Sequence, residues 1–169
     1  MEEKYVETKK IVVKDENNIE RFVIASELPD PRIDGKIYRR DAQVSGMQIL
    51  DDRGDEIGGI GIIDKQRAAV LGLDYKNHEA VTAFVYDNQD GHGAGISVNS
   101  KDTTAKVDGA KHYSKILIKA ENNSTSINFI GKDGKEKMLI GLDENDNPYI
   151  RIIDKNGNLI DVLKDIFKY

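Results

Sequence analysis

Period-two alternation dominates this chain and constrains its fold more than any other feature. "KIVVKD", "RFVIAS", "GMQILDD", "AAVLGLD", "AVTAFVYD", "AGISVNS", "KILIKAE", "SINFIGKD", "KMLIGLD" and "YIRIIDK" are short runs rich in Ile, Val, Leu and aromatics, most of them closed by Asp, Asn or Gly. Apolar residues recurring every second position suit strands with one apolar face, not helices. Five pairs punctuate the runs: Asp34-Gly35, Asp90-Gly91, Asp108-Gly109, Asp133-Gly134 and Asn156-Gly157. Such pairs tolerate the positive φ of type I′ turns and join neighbouring antiparallel strands. The expectation is an all-β fold: an antiparallel meander of about 11–12 short strands, barrel-like or prism-like.

The 169 residues suffice for one domain, 1–169. The polar stretch "KDTTAKVDGAKHYS" divides it into subregions 1–100 and 115–169. Weak internal repetition makes the hairpin the reused unit, since "VLGLDYKNHEAVTAFVYDNQDG" resembles "LIGLDENDNPYIRIIDKNG". A single hairpin cannot bury its apolar side, so several must stack or close up.

Composition narrows the function classes. A net charge of -5 disfavours nucleic acid as the main partner. The absence of cysteine excludes disulfides, thiolate metal sites and a cysteine nucleophile, and fits a reducing cytoplasm. "MEEKYVETKK" has no apolar core of a signal peptide, and no apolar run reaches the roughly 18–20 residues of a spanning helix. A cytoplasmic protein without a membrane partner is expected.

"DDRGDEIGGIGI", Asp51–Ile62, carries two motif-like strings. Arg53-Gly54-Asp55 spells an adhesion tripeptide, but no disulfide-pinned loop presents it. Gly58-Gly59-Ile60-Gly61 lacks the following helix and the Gly-Lys-Ser/Thr of a phosphate loop. The stretch reads instead as strand, turn, strand. Glycines in a strand require a bulge, a bend or close approach of other atoms. Gly59 with Gly61, and Gly93 with Gly95, each share one side, and so suit a close sheet crossing or a subunit contact.

At these residues a resemblance enters. "RFVIAS…IDGKIYRR…SGMQILDDRGDEIGGI", roughly Arg21–Ile60, resembles a signature of a group of uncharacterised bacterial all-β proteins. Its pattern is R-x-V-I, then G-K-x-Y, then G-M, then G-D-E-x-G-G. The resemblance implies a bacterial source and no particular chemistry.

No converging catalytic set is legible. His78, His92 and His112 are scattered, without metal-ligand spacing. His92, flanked by Gly91 and Gly93, and His112, beside Tyr113, are the better candidates. "DENDNPYIRIID" imitates a calcium loop but places Pro148 where glycine is required. No cofactor or metal site is expected. The most distinctive loop is "LPDPRIDGKIYRRDA", whose Arg32, Arg39 and Arg40 suit an anion and whose Tyr38 suits stacking on a ring. The candidate ligand-binding residues are therefore Arg32, Tyr38, Arg39, Arg40, His92 and His112.

The leading expectation is a non-catalytic bacterial binding or assembly protein that forms homo-oligomers. The alternative is a β-barrel binding a small anionic or apolar ligand, with isomerase or cyclase activity, and a third reading is an extended fibre-like trimer. The tail "NGNLIDVLKDIFKY" reads as a strand over Leu159–Leu163, then a short helical or irregular end.

Overall fold

The computed structural model describes residues 6–76, 78–101 and 114–166. Its strands are β1 (Lys10–Lys14), β2 (Glu20–Ala25), β3 (Arg32–Ile33), β4 (Lys36–Ile37), β5 (Ser45–Leu50), β6 (Glu56–Ile63) and β7 (Ala68–Tyr75). They continue as β8 (His78–Asn88), β9 (Gly91–Asn99), β10 (Ser114–Glu121), β11 (Ser124–Ile130), β12 (Glu136–Leu142), β13 (Pro148–Ile153) and β14 (Leu159–Asp161). A 3₁₀ turn, Asp64–Gln66, joins β6 to β7, and helix α1 (Val162–Ile166) ends the described chain.

Twelve strands form one antiparallel meander in the order β1-β2-β5-β6-β7-β8-β9-β10-β11-β12-β13-β14. β1 and β14 lie at opposite edges and do not pair, so the sheet is open and no barrel closes. The alternation expected from sequence is realised, and β3 and β4 form a separate hairpin inserted between β2 and β5. No helix among the described residues is long and apolar enough to cross a membrane.

One turn design recurs. Asp15, Asp51, Asp143 and Asp154 each donate their backbone N–H to the carbonyl four residues on. In each, the N–H three residues on returns to the aspartate carbonyl. Oδ1 of each aspartate also accepts the N–H groups two and four residues ahead, at 2.8–3.0 Å. The fourth residue is left-handed: Asn18 (φ 64°), Gly54 (φ 79°), Asp146 (φ 61°) and Gly157 (φ 88°). This is a three-residue loop closed by one positive-φ residue. The type I′ geometry expected at the Asp-Gly and Asn-Gly pairs occurs at Asp34-Gly35, where both φ are positive. At Asp133-Gly134 and Asn156-Gly157 only the glycine is left-handed, because the preceding residue belongs to the three-residue loop. Asp108-Gly109 lies outside the described residues.

The tail departs from the expected strand. β14 stops at Asp161 and α1 begins at Val162. Asp161 caps the helix, with Oδ1 accepting the N–H of Lys164 at 3.3 Å. Asn158 is consumed by the Asp154 turn.

The enclosed core is small. Val23, Ala25, Leu28 and Leu50 are buried, with Val12 and Val44 packed against them. It lies on one side of the sheet, where the segment between β2 and β5 folds back over the strands.

Candidate functional site

Directly paired residues in an antiparallel sheet share a face. Following the register across the sheet therefore sorts every strand residue onto one of two faces. One face carries an unbroken central row: Ile11, Ile24, Met47, Ile60, Leu71, Ala83, Ile96, Ile118, Ile127, Ile140 and Ile150. Each is the pairing partner of the next. A second row, two residues away, runs from Val13 and Phe22 to Ile152 and Ile160, with Gly58 its one gap. A third, on the other side, runs from Ser45 and Ile62 to Leu142 and Pro148. Every residue of the three rows is uncharged.

This face is open to solvent. Of the twenty large hydrophobics exposed among the described residues, sixteen stand in these three rows, each 37–50% exposed. The chain exposes 12299 Å². A compact monomer of 18.9 kDa exposes about 8,300 Å², so the excess is about 4,000 Å². Ordinary monomers leave contiguous apolar patches of only a few hundred Å².

The opposite face is mixed. Gln48, Gly59, Gly72, Thr82, Ser97, Leu117, Asn128 and Leu139 follow one another across it. Its glycines take rings from the next strand. A Cβ on Gly93 would stand 2.8 Å from the Tyr86 ring, on Gly95 2.7 Å from that of Phe84, and on Gly141 2.7 Å from the Tyr149 hydroxyl. The flat patch expected at Gly93 and Gly95 is thus filled within the sheet, by aromatic side chains that cover otherwise bare backbone.

At the β5–β7 end of this mixed face the inserted segment closes a cavity of about 270 Å³. Its floor includes Gly59, Gly61 and Gly72, its roof Leu28 and Val44, and its charged groups are Arg40, Glu56, Asp74 and Glu79. Arg40 Nη2 donates to Glu56 Oε1 and Oε2 at 3.1 and 2.8 Å, and Nε donates to the Pro29 carbonyl at 2.9 Å. Gln48, 2% exposed, donates to Glu56 Oε2 at 2.6 Å. Asp74 Oδ1 is buried without a hydrogen-bond partner. Burial, with the nearby Glu79 and Glu56 carboxylates, pushes the Asp74 carboxyl up to about 6, although Arg40 pulls it the other way.

The sequence-derived candidates fall into three places. Arg32, Tyr38, Arg39 and Arg40 are on the inserted segment. Arg32 Nε lies 3.4 Å from Asp55 Oδ1, the Tyr38 N–H donates to the Pro31 carbonyl, and Arg39 is exposed. His92 is at the β8–β9 turn and exposed, its backbone tied to Asn122. His112 lies outside the described residues. Among the arginines only Arg40 reaches the cavity, where its guanidinium is already engaged. The third histidine, His78, is buried, with Nε2 3.1 Å from the Ser100 carbonyl.

The tripeptide at Arg53-Gly54-Asp55 is a structural turn. Asp55 is 4% exposed, accepting the Gly35 N–H at 2.9 Å, and Arg53 pairs with Asp51 at 2.9 Å. The calcium-like loop is another, with Asp143 accepting the N–H groups of Asn145 and Asn147. Sequence reasoning missed Gln48, Glu56, Asp74 and Glu79 as a cluster. The only available signal was a glutamate two residues before a glycine pair, which strand alternation alone does not single out. No protein-family model, curated protein or solved structure matches the chain.

Proposed function

We propose that this chain is a non-catalytic assembly protein whose apolar sheet face is covered by further copies of itself. One observation carries the reading: three adjacent apolar rows, continuous across the meander, stand in water when the chain is alone. The excess surface of about 4,000 Å² is on the scale that subunits of obligate oligomers bury. Self-association suits a face this uniform, because an identical apolar surface is always available to match it. On composition and signature we assign the protein to a bacterial cytoplasm.

Lipid is the competing cover, and two features disfavour it. A membrane-spanning strand needs about 9–11 residues, whereas ten of the twelve sheet strands have eight or fewer. The open edges of β1 and β14 would also leave backbone N–H and C=O groups without partners in hydrocarbon.

The test is native mass spectrometry and light scattering of the purified protein at micromolar concentration, with a flotation assay on neutral and anionic vesicles. A stable oligomer that does not float supports the reading. A folded monomer, or a protein that floats with vesicles, overturns it.

A second reading rests on the cavity under the inserted segment. We infer that any small ligand there is neutral or cationic. Three carboxyl groups and one already-paired arginine disfavour the anion suggested by the loop arginines alone. Titration calorimetry with small polyols and amines tests this; binding of small anions instead would overturn it.

A further inference from the structure

We propose that three copies of this chain close as a three-sided prism, the strands lying across its axis and the central apolar row facing that axis. This rests on the self-association reading above and specifies the number and arrangement of copies.

The width of the apolar face sets the geometry. Sheets packed face to face lie about 10 Å apart, so each contributes a side-chain layer of about 5 Å. Three identical sheets, each about 5 Å from a common axis, enclose a triangle about 17 Å on a side. A strand covers that length with about five residues, at roughly 3.4 Å each. Five strand residues turn three side chains inward, and three rows is what the apolar face has.

The rows are also sized for a cyclic axis. A row on the axis meets its own copies, so its members should match one another. The central row is Ile, Leu or Met throughout, except for Ala83. The flanking rows meet across the corners, the second row of one copy against the third row of the next at the same strand. There a large residue should face a small one. The structure has Ile49 with Ser45 on β5, Gly58 with Ile62 on β6 and Leu73 with Ala69 on β7, whereas on β8 and β12 both flanking residues are large. The large residue changes row between β5 and β6, so each corner carries both interlocking senses. A two-copy sandwich would also pair these rows, and the native mass separates the two arrangements.

The prism would be about 53 Å long, from eleven steps of about 4.8 Å between strands. Its outer surface would be the mixed face, with the inserted segment and its cavity on the outside.

Native mass spectrometry of the full chain reads the stoichiometry, and small-angle scattering reads the length. The chain contains no cysteine, so Ile118→Cys and Lys119→Cys each introduce a lone thiol, one on the central row and one on the outer face. The expected results are a trimer mass, a rod about 53 Å long, and joining of subunits by a short bis-maleimide in the Ile118→Cys variant but not in the Lys119→Cys variant. A monomer overturns both this inference and the reading it rests on. A dimer or a larger ring overturns the prism and leaves self-association standing. A trimer that crosslinks in the Lys119→Cys variant and not in the Ile118→Cys variant has the other face inside and overturns the prism. The native mass and scattering of the unsubstituted protein decide the matter if a cysteine variant fails to fold.

Discussion

Arg40 and Glu56, sixteen residues apart, are joined through one guanidinium nitrogen that donates to both carboxylate oxygens, at 3.1 and 2.8 Å. The pair fastens the inserted segment to the mixed face of the sheet. The side chains retain only 20% and 15% of their exposure, so removing one leaves the other poorly hydrated.

Arg40→Ala should therefore destabilise the protein by on the order of 3 kcal/mol. It should also open the chain between β2 and β5 to limited proteolysis. Arg40→Lys should restore only part of the loss, because an ammonium lacks the guanidinium's second donor toward the Pro29 carbonyl. Urea melts and digestion time courses of the two variants check this; equal behaviour of Arg40→Ala and the parent would show the latch to be idle.

Asp74 predicts a pH dependence of unusual sign. Its carboxyl is raised to about 6 in the folded protein, chiefly by burial. Between the ordinary carboxylate range and pH 6 the folded state holds a proton that the unfolded chain has released. Stability should accordingly fall as pH rises from about 4 to 6 and then level off, by on the order of 2 kcal/mol. Asp74→Asn should abolish that slope and be the more stable protein at pH 7. Melting temperatures of both proteins from pH 4 to 8 are the measurement, and a parallel pair of curves would contradict the assignment.

The turn aspartates predict the opposite behaviour at lower pH. The Asp15, Asp143 and Asp154 carboxyls are held below the usual range, above all by the N–H groups of Ile19, Asn147 and Asn158. Their contribution is complete above the ordinary carboxylate range and is lost as pH falls through the lowered folded values. Acid unfolding below about pH 4 should begin at higher pH in Asp143→Asn and Asp154→Asn. Circular dichroism during acid titration follows it; coincident transitions in parent and variants would count against these turns as the acid-sensitive elements.

Glycine positions on the mixed face should separate sharply. A Cβ at Gly141 would sit 2.1 Å from the Thr125 carbonyl oxygen and against the Tyr149 ring, whereas at Gly72 the nearest atom is 3.8 Å away. Gly141→Ala should cost roughly 1–3 kcal/mol, as overpacking does. Gly72→Ala should be close to neutral. Denaturant midpoints of the two variants compare them directly, and similar losses would contradict the packing described around Tyr149.

Ala83 is the one short side chain in the central apolar row. Within the proposed prism it leaves a gap on the axis, and Ala83→Val should stabilise the assembly by about 0.5–2 kcal/mol. In a lone sheet the same change merely adds exposed apolar surface, and no gain should appear. Thermal melts at two protein concentrations distinguish these outcomes.

The meander was legible because alternation and turn chemistry agree strand after strand. "KILIKAE" and "SINFIGKD" specify a strand, a face and a stop within a few residues. The continuity of the apolar rows was less visible. It depends on register, and the shifts at Val13/Lys14, Ile49/Leu50, Leu73/Asp74 and Phe129/Ile130 move the count by a residue that sequence alone does not announce. The cavity was not legible. Arg40 meets Glu56 only after the inserted segment folds back over strands that follow it in the chain, whereas Asp74 and Glu79 are cross-strand partners within the β7–β8 hairpin and come together with it. The loop arginines were conspicuous for their charge, yet that charge is largely spent on Asp55, Glu56 and Pro29.

The Asp-led turn has a consequence for how such a chain changes in length. Its hydrogen bonds close within five residues and ask nothing of the rest of the protein, while the three apolar rows continue unchanged from strand to strand. A hairpin added or removed between two turns therefore preserves the cross-section and alters the sheet by two strands, about 10 Å. Length in this architecture is a counted quantity, set by the number of hairpins the gene encodes and open to revision two strands at a time.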